Sequence, residues 1–111
     1  TLALSAANSG LSAATHIASG ATISAGAANA LGTSAVEVDG TLTLNAADTL
    51  ANTLNGAGVI NTDAAITLSG SNTFGGTHAV NANGALTVST ANNLGTSAAN
   101  VNLTDATAQL L

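Results

Sequence analysis

The chain has 111 residues, five acidic side chains, no lysine or arginine, and a formal net charge of −5. Because no lysine or arginine is available to neutralise phosphates, nucleic-acid binding and attraction to anionic lipid surfaces are excluded as functions. The absence of cysteine removes disulfides and thiolate chemistry, and the single aromatic residue, Phe74, leaves too little volume to fill an ordinary two-layer core. Leucine, isoleucine and valine nevertheless recur throughout, so we expect a folded chain with a thin core.

Short segments of alternating apolar and polar residues predict the secondary structure. In chain order they are residues 1–4, 36–38, 41–44, 65–68, 85–88 and 101–103. A period of two with β-branched residues predicts strands that bury one face. Glycine, asparagine, aspartate and serine lie between the segments and are typical of turns.

A repeat of about 21 residues organises these segments. The phrase Leu31–Ala35 recurs as Leu94–Ala98, three repeats further along the chain. Stepping through the sequence with this period gives a column of β-branched residues: Ile17, Val38, Val59, Val80 and Val101. A second, mostly apolar column contains Leu2, Ile23, Leu44, Ala65, Leu86 and Thr107.

Repeats of this length that hold short strands are typical of β-solenoids, whereas helical solenoids need longer repeats. The sequence therefore predicts an all-β, right-handed parallel β-helix over residues 1–111, with about 21 residues per coil and roughly five coils. At ~4.8 Å per coil, the rod would be on the order of 24 Å long. Neither end carries a polar cap, so we expect an excised piece of a longer rod.

Four residues are candidates for acid/base or metal chemistry. His16 and His78 each follow a threonine, but their separation is one position short of three repeats, so we expect ordinary surface or turn histidines. Glu37 and Asp39 lie on the same side of one strand and could supply the carboxylate pair of a sugar-cleaving enzyme. Enzymes of that kind on this fold usually add basic residues and aromatic platforms, which this sequence lacks, so we expect solvated strand residues.

Other polar residues have structural interpretations. Asp39, Asp48 and Asp63 are expected in turns, bonded to nearby backbone amides, rather than in a calcium site, because no glycine- and aspartate-rich nonapeptide is present. The Thr41-Leu42-Thr43 step is typical of ice-binding solenoids but does not recur with the period of the chain. Asn8, Asn29 and Asn92 stand at multiples of the repeat and predict an asparagine ladder at a coil corner. We expect no catalytic, cofactor-binding or metal site, and no enzyme.

One part of the chain resembles a known family. Residues 70–77 read Gly-Ser-Asn-Thr-Phe-Gly-Gly-Thr, followed by Gly-Ala-Leu-Thr-Val at 84–88 and Ala-Asn-Asn-Leu-Gly at 91–95. This resembles the passenger-associated repeat of bacterial autotransporters, in which G-x-N-T-(Y/F)-x-G-G-T is followed by G-x-L-x-V and then A-L-G or N-L-G. The match covers about residues 69–103, and a weaker copy occupies residues 17–38.

The resemblance implies a type V secretion passenger, displayed on the surface of a Gram-negative bacterium or secreted from it. It implies a structural stalk that supports export by folding coil by coil, with neighbouring coils as the main partners. The alternative is an adhesin or self-association module that binds other passenger molecules or host-surface ligands through exposed Asn and Thr ladders. Neither function implies a cofactor, a nucleic-acid partner or direct insertion of this segment into the membrane.

Overall fold

Thirteen short strands and one helical turn follow one another along residues 1–111, all of which the computed structural model describes. The strands are β1 (Leu2–Leu4), β2 (Thr15–Ile17), β3 (Thr22–Ala25), β4 (Val36–Val38), β5 (Thr41–Leu44), β6 (Asp48–Leu50), β7 (Leu54–Asn55), β8 (Val59–Thr62), β9 (Ala65–Leu68), β10 (Thr77–Val80), β11 (Ala85–Thr87), β12 (Asn100–Leu103) and β13 (Gln109–Leu110). The helix, α1 (Ala91–Leu94), has four residues, and no helix of the structure is long and apolar enough to cross a membrane.

The strands form three parallel sheets. Sheet 1 has six strands in the order β1-β3-β5-β8-β10-β12, sheet 2 has the order β6-β9-β11-β13, and sheet 3 has the order β2-β4-β7. Between successive strands of sheet 1 the chain passes through sheet 2, sheet 3 or both, and each return to sheet 1 starts a new coil. The predicted parallel β-solenoid of about five turns is thus confirmed.

The coils differ in length, so the strict period predicted from the sequence does not hold. On sheet 1 one column of stacked residues contains Leu2, Ile23, Leu42, Ile60, His78 and Val101. Three coils carry the chain from Ile23 to His78, whereas three repeats of the predicted length would carry it to Leu86. Backbone pairing fixes the strands in register, whereas the corners between sheets accept extra residues, such as those of α1 in the fifth coil.

The predicted columns fail for the same reason. Ile17 and Val38 do stack, on sheet 3, but Val59 lies on sheet 1 opposite Thr41. In the second column, Leu2 pairs with Ile23 as expected, but Ile23 then pairs with Leu42 instead of Leu44.

The alternation within each strand is a better guide than the long period. Strands at 36–38, 41–44 and 65–68 have the predicted bounds. Those predicted at 85–88 and 101–103 run over 85–87 and 100–103. Alternation reports which face of a strand is buried, and this depends only on the strand itself.

The core is a narrow apolar column inside the three sheets. Burial alternates along β3, β5 and β8, so that every second side chain points inward. The largest fully buried apolar side chains are those of Phe74, Ile17, Leu42, Leu50, Leu54, Ile60, Ile66, Leu68, Leu86, Val36 and Val38. Aliphatic stripes from the sheets therefore fill the interior, and the expected thin core is observed.

Glycines at one corner allow consecutive coils to approach closely. Gly40, Gly58 and Gly76 occupy the same place on three consecutive coils, just before the strands of sheet 1. A Cβ atom on Gly58 would overlap the carbonyl oxygen of Gly40, and one on Gly76 would overlap that of Gly58. Only glycine fits this backbone contact.

Replacing Gly58 with alanine is expected to lower the free energy of unfolding by about 1–3 kcal/mol, because the new methyl group forces two coils apart. Gly10→Ala is the matched control, since a Cβ atom there meets nothing within 4 Å. We expect the control to change stability by no more than about 0.5 kcal/mol. Urea denaturation of both variants, followed by circular dichroism, measures the difference. Equal stability of the two variants would contradict the close contact.

Candidate functional site

The only group of potential metal ligands is the His16 cluster, formed by His16, Glu37 and Asp39. His16 on β2 pairs in register with Glu37 on β4, and Asp39 immediately follows that strand. His16 Nε2 lies 3.1 Å from Asp39 Oδ2, and one ligand atom of each residue lies within 4.8 Å of the others. Sheet 3 therefore places two carboxylates and an imidazole together on its outer face.

The sequence predicts only part of the His16 cluster. It correctly places Glu37 beside Asp39, but it considers for His16 only a role shared with His78. His16 and Glu37 stand one predicted repeat apart, and this spacing is the signal that joins them.

The His16 cluster is open to solvent. The side chains of His16 and Asp39 are 54% and 40% exposed and already form a hydrogen bond or ion pair with each other. Exposed pairs of this kind contribute little stability, about 0–1 kcal/mol. Two carboxylates and an imidazole are a donor set that could coordinate a divalent cation. The solvated positions expected for Glu37 and Asp39 and the surface position expected for His16 are all observed.

A polar groove of about 380 Å³ lies elsewhere, between the second and third coils. It is lined by Asn29, Leu31, Gly32, Thr33, Ala35, Asp48, Thr49, Ala51, Asn52 and Thr53. Asp48 accepts hydrogen bonds from the backbone amides of Asn29 and Thr49, and the Asn52 amide donates to the Gly32 and Ser34 carbonyl oxygens. These polar groups hold the two coils to each other. The bond from the Thr49 amide is of the predicted kind, but Asp48 begins β6 and does not lie in a turn, and the Asn29 amide belongs to the neighbouring coil.

The remaining aspartates also bind neighbouring groups. Asp63 accepts a hydrogen bond from the Asn81 side chain, which joins consecutive coils, rather than from a nearby backbone amide as predicted. Asp105 accepts from the Thr107 hydroxyl and backbone amide, and these bonds hold the pKa of Asp105 below its usual value.

The outer face of sheet 1 is mostly polar and free of charged residues. Two columns of side chains run across it: Thr22, Thr41, Val59, Thr77 and Asn100, and beside them Ser24, Thr43, Asn61, Ala79 and Asn102. Neighbours bind one another, as Asn61 Nδ2 does by donating to Thr43 Oγ1 at 3.3 Å. The Thr-x-Thr step at Thr41 and Thr43 occurs on this face once, so the hydroxyls form no regular array of the ice-binding kind.

Asparagines do occupy a coil corner, but none of the three predicted residues is among its buried members. Asn72 and Asn93 are buried there, with Asn52 on the preceding coil. Asn72 Oδ1 accepts from the Leu54 amide at 2.9 Å, and its Nδ2 donates to the Asn93 carbonyl at 2.6 Å.

The predicted members behave differently. Asn8 Nδ2 donates to the Ala30 backbone carbonyl across the first two coils, and not to the Asn29 side chain as the predicted ladder requires. Asn29 is exposed, with a φ of 58°, and Asn92 contributes its backbone carbonyl to Asn72 N. The predicted column passes through residues 71 and 92, one position before the buried Asn72 and Asn93.

His78 is fully buried, so the expectation that it is a surface or turn residue is wrong. It is two positions before the inward-facing Val80 on β10. Side chains two positions apart on a strand point to the same face, so both lie in the core. The position of His78 relative to Val80 is the sequence signal for this burial. Burial lowers the pKa of His78, and the hydrogen bond to the Leu94 carbonyl partly offsets this effect.

No family model, curated protein or solved structure matches the chain.

Proposed function

We propose that the chain is a structural segment of an autotransporter-type passenger, displayed on the surface of a Gram-negative bacterium or secreted from it. In this role it serves as a stalk and supports export by coil-by-coil folding. The observation that carries the proposal is the pairing order of sheet 1, in which every strand pairs only with strands of the preceding and following coils. Each coil is therefore a template for the next, and folding can propagate along the chain.

The residues of the passenger-like phrase support this role by their positions. Asn72 uses both ends of its side-chain amide to join the coils on either side of it. Phe74 is fully buried, and a Cβ atom on Gly76 would overlap the backbone of the preceding coil. These residues contact neighbouring coils rather than solvent, which suits a segment that holds the coils in their stack.

The corners add bonds that act only between coils. Asn8 donates to Ala30, Asn93 to Gly70, and Thr104 to Val80, in each case across one coil step. A coil that leaves a translocation pore finds these partners already in place on the coil before it. Each added coil would then stabilise the exported state and oppose return of the chain.

The test is a pair of deletions in the full-length passenger gene. Deleting residues 59–76 removes one coil and joins Gly58 to Thr77, which replaces Val59 in the same register. Deleting residues 63–71 removes half a coil and brings the wrong faces together. We expect the first deletion to preserve surface display and the second to reduce it by about tenfold or more, because new coils then lose their template.

Protease accessibility on intact cells measures display, and total protein measures expression. Full display after the half-coil deletion would overturn the proposal. Equal loss after both deletions would also overturn it, because display would then depend on sequence content rather than on stacking.

A second candidate, an adhesin or self-association module, is favoured by the outer face of sheet 1. Its two side-chain columns contain no charged residue, whereas the charged side chains elsewhere in the chain are all acidic at neutral pH if histidine is neutral. Thr43→Glu together with Asn61→Glu would place like charges on this face. In the same cells, loss of clumping with unchanged display would support the adhesive function, and unchanged clumping would count against it.

A further inference from the structure

Two columns of sheet 1 point inward, and the one that contains His78 has no other polar residue. Its members are Leu2, Ile23, Leu42, Ile60, His78 and Val101. His78 has 0% of its surface exposed and pairs with Ile60 on one side and Val101 on the other. The ionisable ring of His78 on the fifth coil thus occupies a position that holds an aliphatic residue on the other coils.

The surroundings of Nδ1, the second ring nitrogen of His78, favour the neutral form of the ring. The ring nitrogen Nε2 lies 2.7 Å from the Leu94 carbonyl oxygen, which can only accept, so Nε2 carries the proton. Nδ1 is buried without a partner. A second proton on Nδ1 would create a buried N–H donor with no acceptor and a buried positive charge, both of which are costly.

Nothing around the ring can compensate that charge. The elements packed against His78 are β8, β12, α1 and the segment at Phe74, whose ring centroid is 5.0 Å away, and none of them contains an acidic or basic residue. The nearest acidic residues along these strands are Asp63 and Asp105, which are exposed and bonded to Asn81 and Thr107. The other buried atom without a partner, Thr62 Oγ1, lies on β8, next to this site.

We propose that His78 is an acid-sensitive latch: protonation of its ring expels it from the core and releases the fifth and sixth coils while the first three coils stay folded. This property goes beyond the stalk function and does not depend on it. A solenoid allows such partial opening because each coil is stabilised mainly by its immediate neighbours. The sixth coil is weakly held, since β12 and β13 are largely exposed.

The direction of the pH dependence follows from burial, which lowers the pKa of folded His78 from its ordinary value of 6.5. The unfolded chain therefore binds a proton more readily than the folded chain. The stabilisation is fully present above pH 6.5 and declines as the pH falls toward the folded pKa. Within that window the opening constant rises by at most about tenfold per pH unit, because one proton is involved.

Hydrogen exchange measured by mass spectrometry between pH 7.5 and 5.0 tests the latch. We expect the protection factors of residues 77–110, corrected for intrinsic exchange, to fall as the pH drops from 6.5 to 5.0, by at most about tenfold per pH unit. Residues 22–44 should keep their protection over the same range. In His78→Leu, an apolar residue of similar size, protection of residues 77–110 should no longer depend on pH. His16→Gln, which changes the exposed histidine, should behave like the original chain.

Several results would overturn the proposal. They are constant protection of residues 77–110 in the original chain, a pH-dependent loss that persists in His78→Leu, and a loss that disappears in His16→Gln. If His78→Leu does not fold, an NMR titration of the His78 ring in the original chain decides the question. A midpoint below 6.5 that coincides with the loss of protection supports the latch, and a midpoint at or above 6.5 rejects it.

Discussion

Replacing Phe74 with alanine is expected to lower the free energy of unfolding by about 3–5 kcal/mol. Phe74 is the only aromatic residue of the chain, is completely buried, and packs its ring against the edge of His78. Its removal leaves a cavity that the backbone cannot close. The Gly75 amide is hydrogen-bonded to the preceding coil, and Gly95 lies against the backbone of Phe74. The loss is a large part of the ~5–15 kcal/mol available to a domain. Urea denaturation followed by circular dichroism measures it.

Leu103→Ala is the control for truncation of a large apolar side chain. Leu103 lies on β12 and is 48% exposed, so its truncation should cost less than about 1 kcal/mol. A loss below about 1 kcal/mol for Phe74→Ala would show that the core at this coil is filled by other side chains.

Asn72→Ala is expected to destabilise the chain by about 2–4 kcal/mol, because it leaves two buried backbone groups without partners. The Leu54 amide loses its acceptor at 2.9 Å, and the Asn93 carbonyl loses its donor at 2.6 Å. Both groups lie at the corner where three consecutive coils meet. The free energy of unfolding and the exchange of the Leu54 amide are the two measurements, and both should change.

Two further variants sharpen this test. Asn102→Ala removes an exposed asparagine with no side-chain hydrogen bond and should leave stability within about 0.5 kcal/mol of the original. Asn72→Asp keeps the acceptor for Leu54 but turns a carboxylate oxygen toward the Asn93 carbonyl, so it should restore protection of the Leu54 amide without restoring full stability. If Asn72→Ala is as stable as Asn102→Ala, the amide is not a bridge between coils.

The fold is predictable from the sequence because the strands obey a local rule. Apolar alternation over four residues identifies the segments at Thr41–Leu44 and Ala65–Leu68, and their turn-rich connections indicate a solenoid. The register is not predictable to the residue. Pairing is decided by which side chains fit the interior, and the corners absorb the differences, so His78 rather than Ala79 or Thr77 stacks on Ile60.

The candidate site is predictable only in part. Glu37 and Asp39 share one side of a strand, which any alternating pattern shows. His16 lies one predicted repeat before Glu37, and strands pair with that spacing only between the first two coils. Burial of His78 escapes prediction because histidine is taken for a polar surface residue, although its position two residues before Val80 fixes its direction.

The corners of this rod tolerate added length, whereas its strands do not. The fifth coil is the longest because it carries α1 and a longer turn at Asn81–Gly84, yet its strand keeps register with those on both sides. A foreign peptide inserted between the exposed residues Ala82 and Asn83 would therefore project as a loop and leave the stack intact. One extra residue within Thr77–Val80 would instead invert the facing of the side chains that follow it in the strand. The corner between β10 and β11 is thus a position at which one foreign epitope can be grafted without disturbing the pairing of the coils.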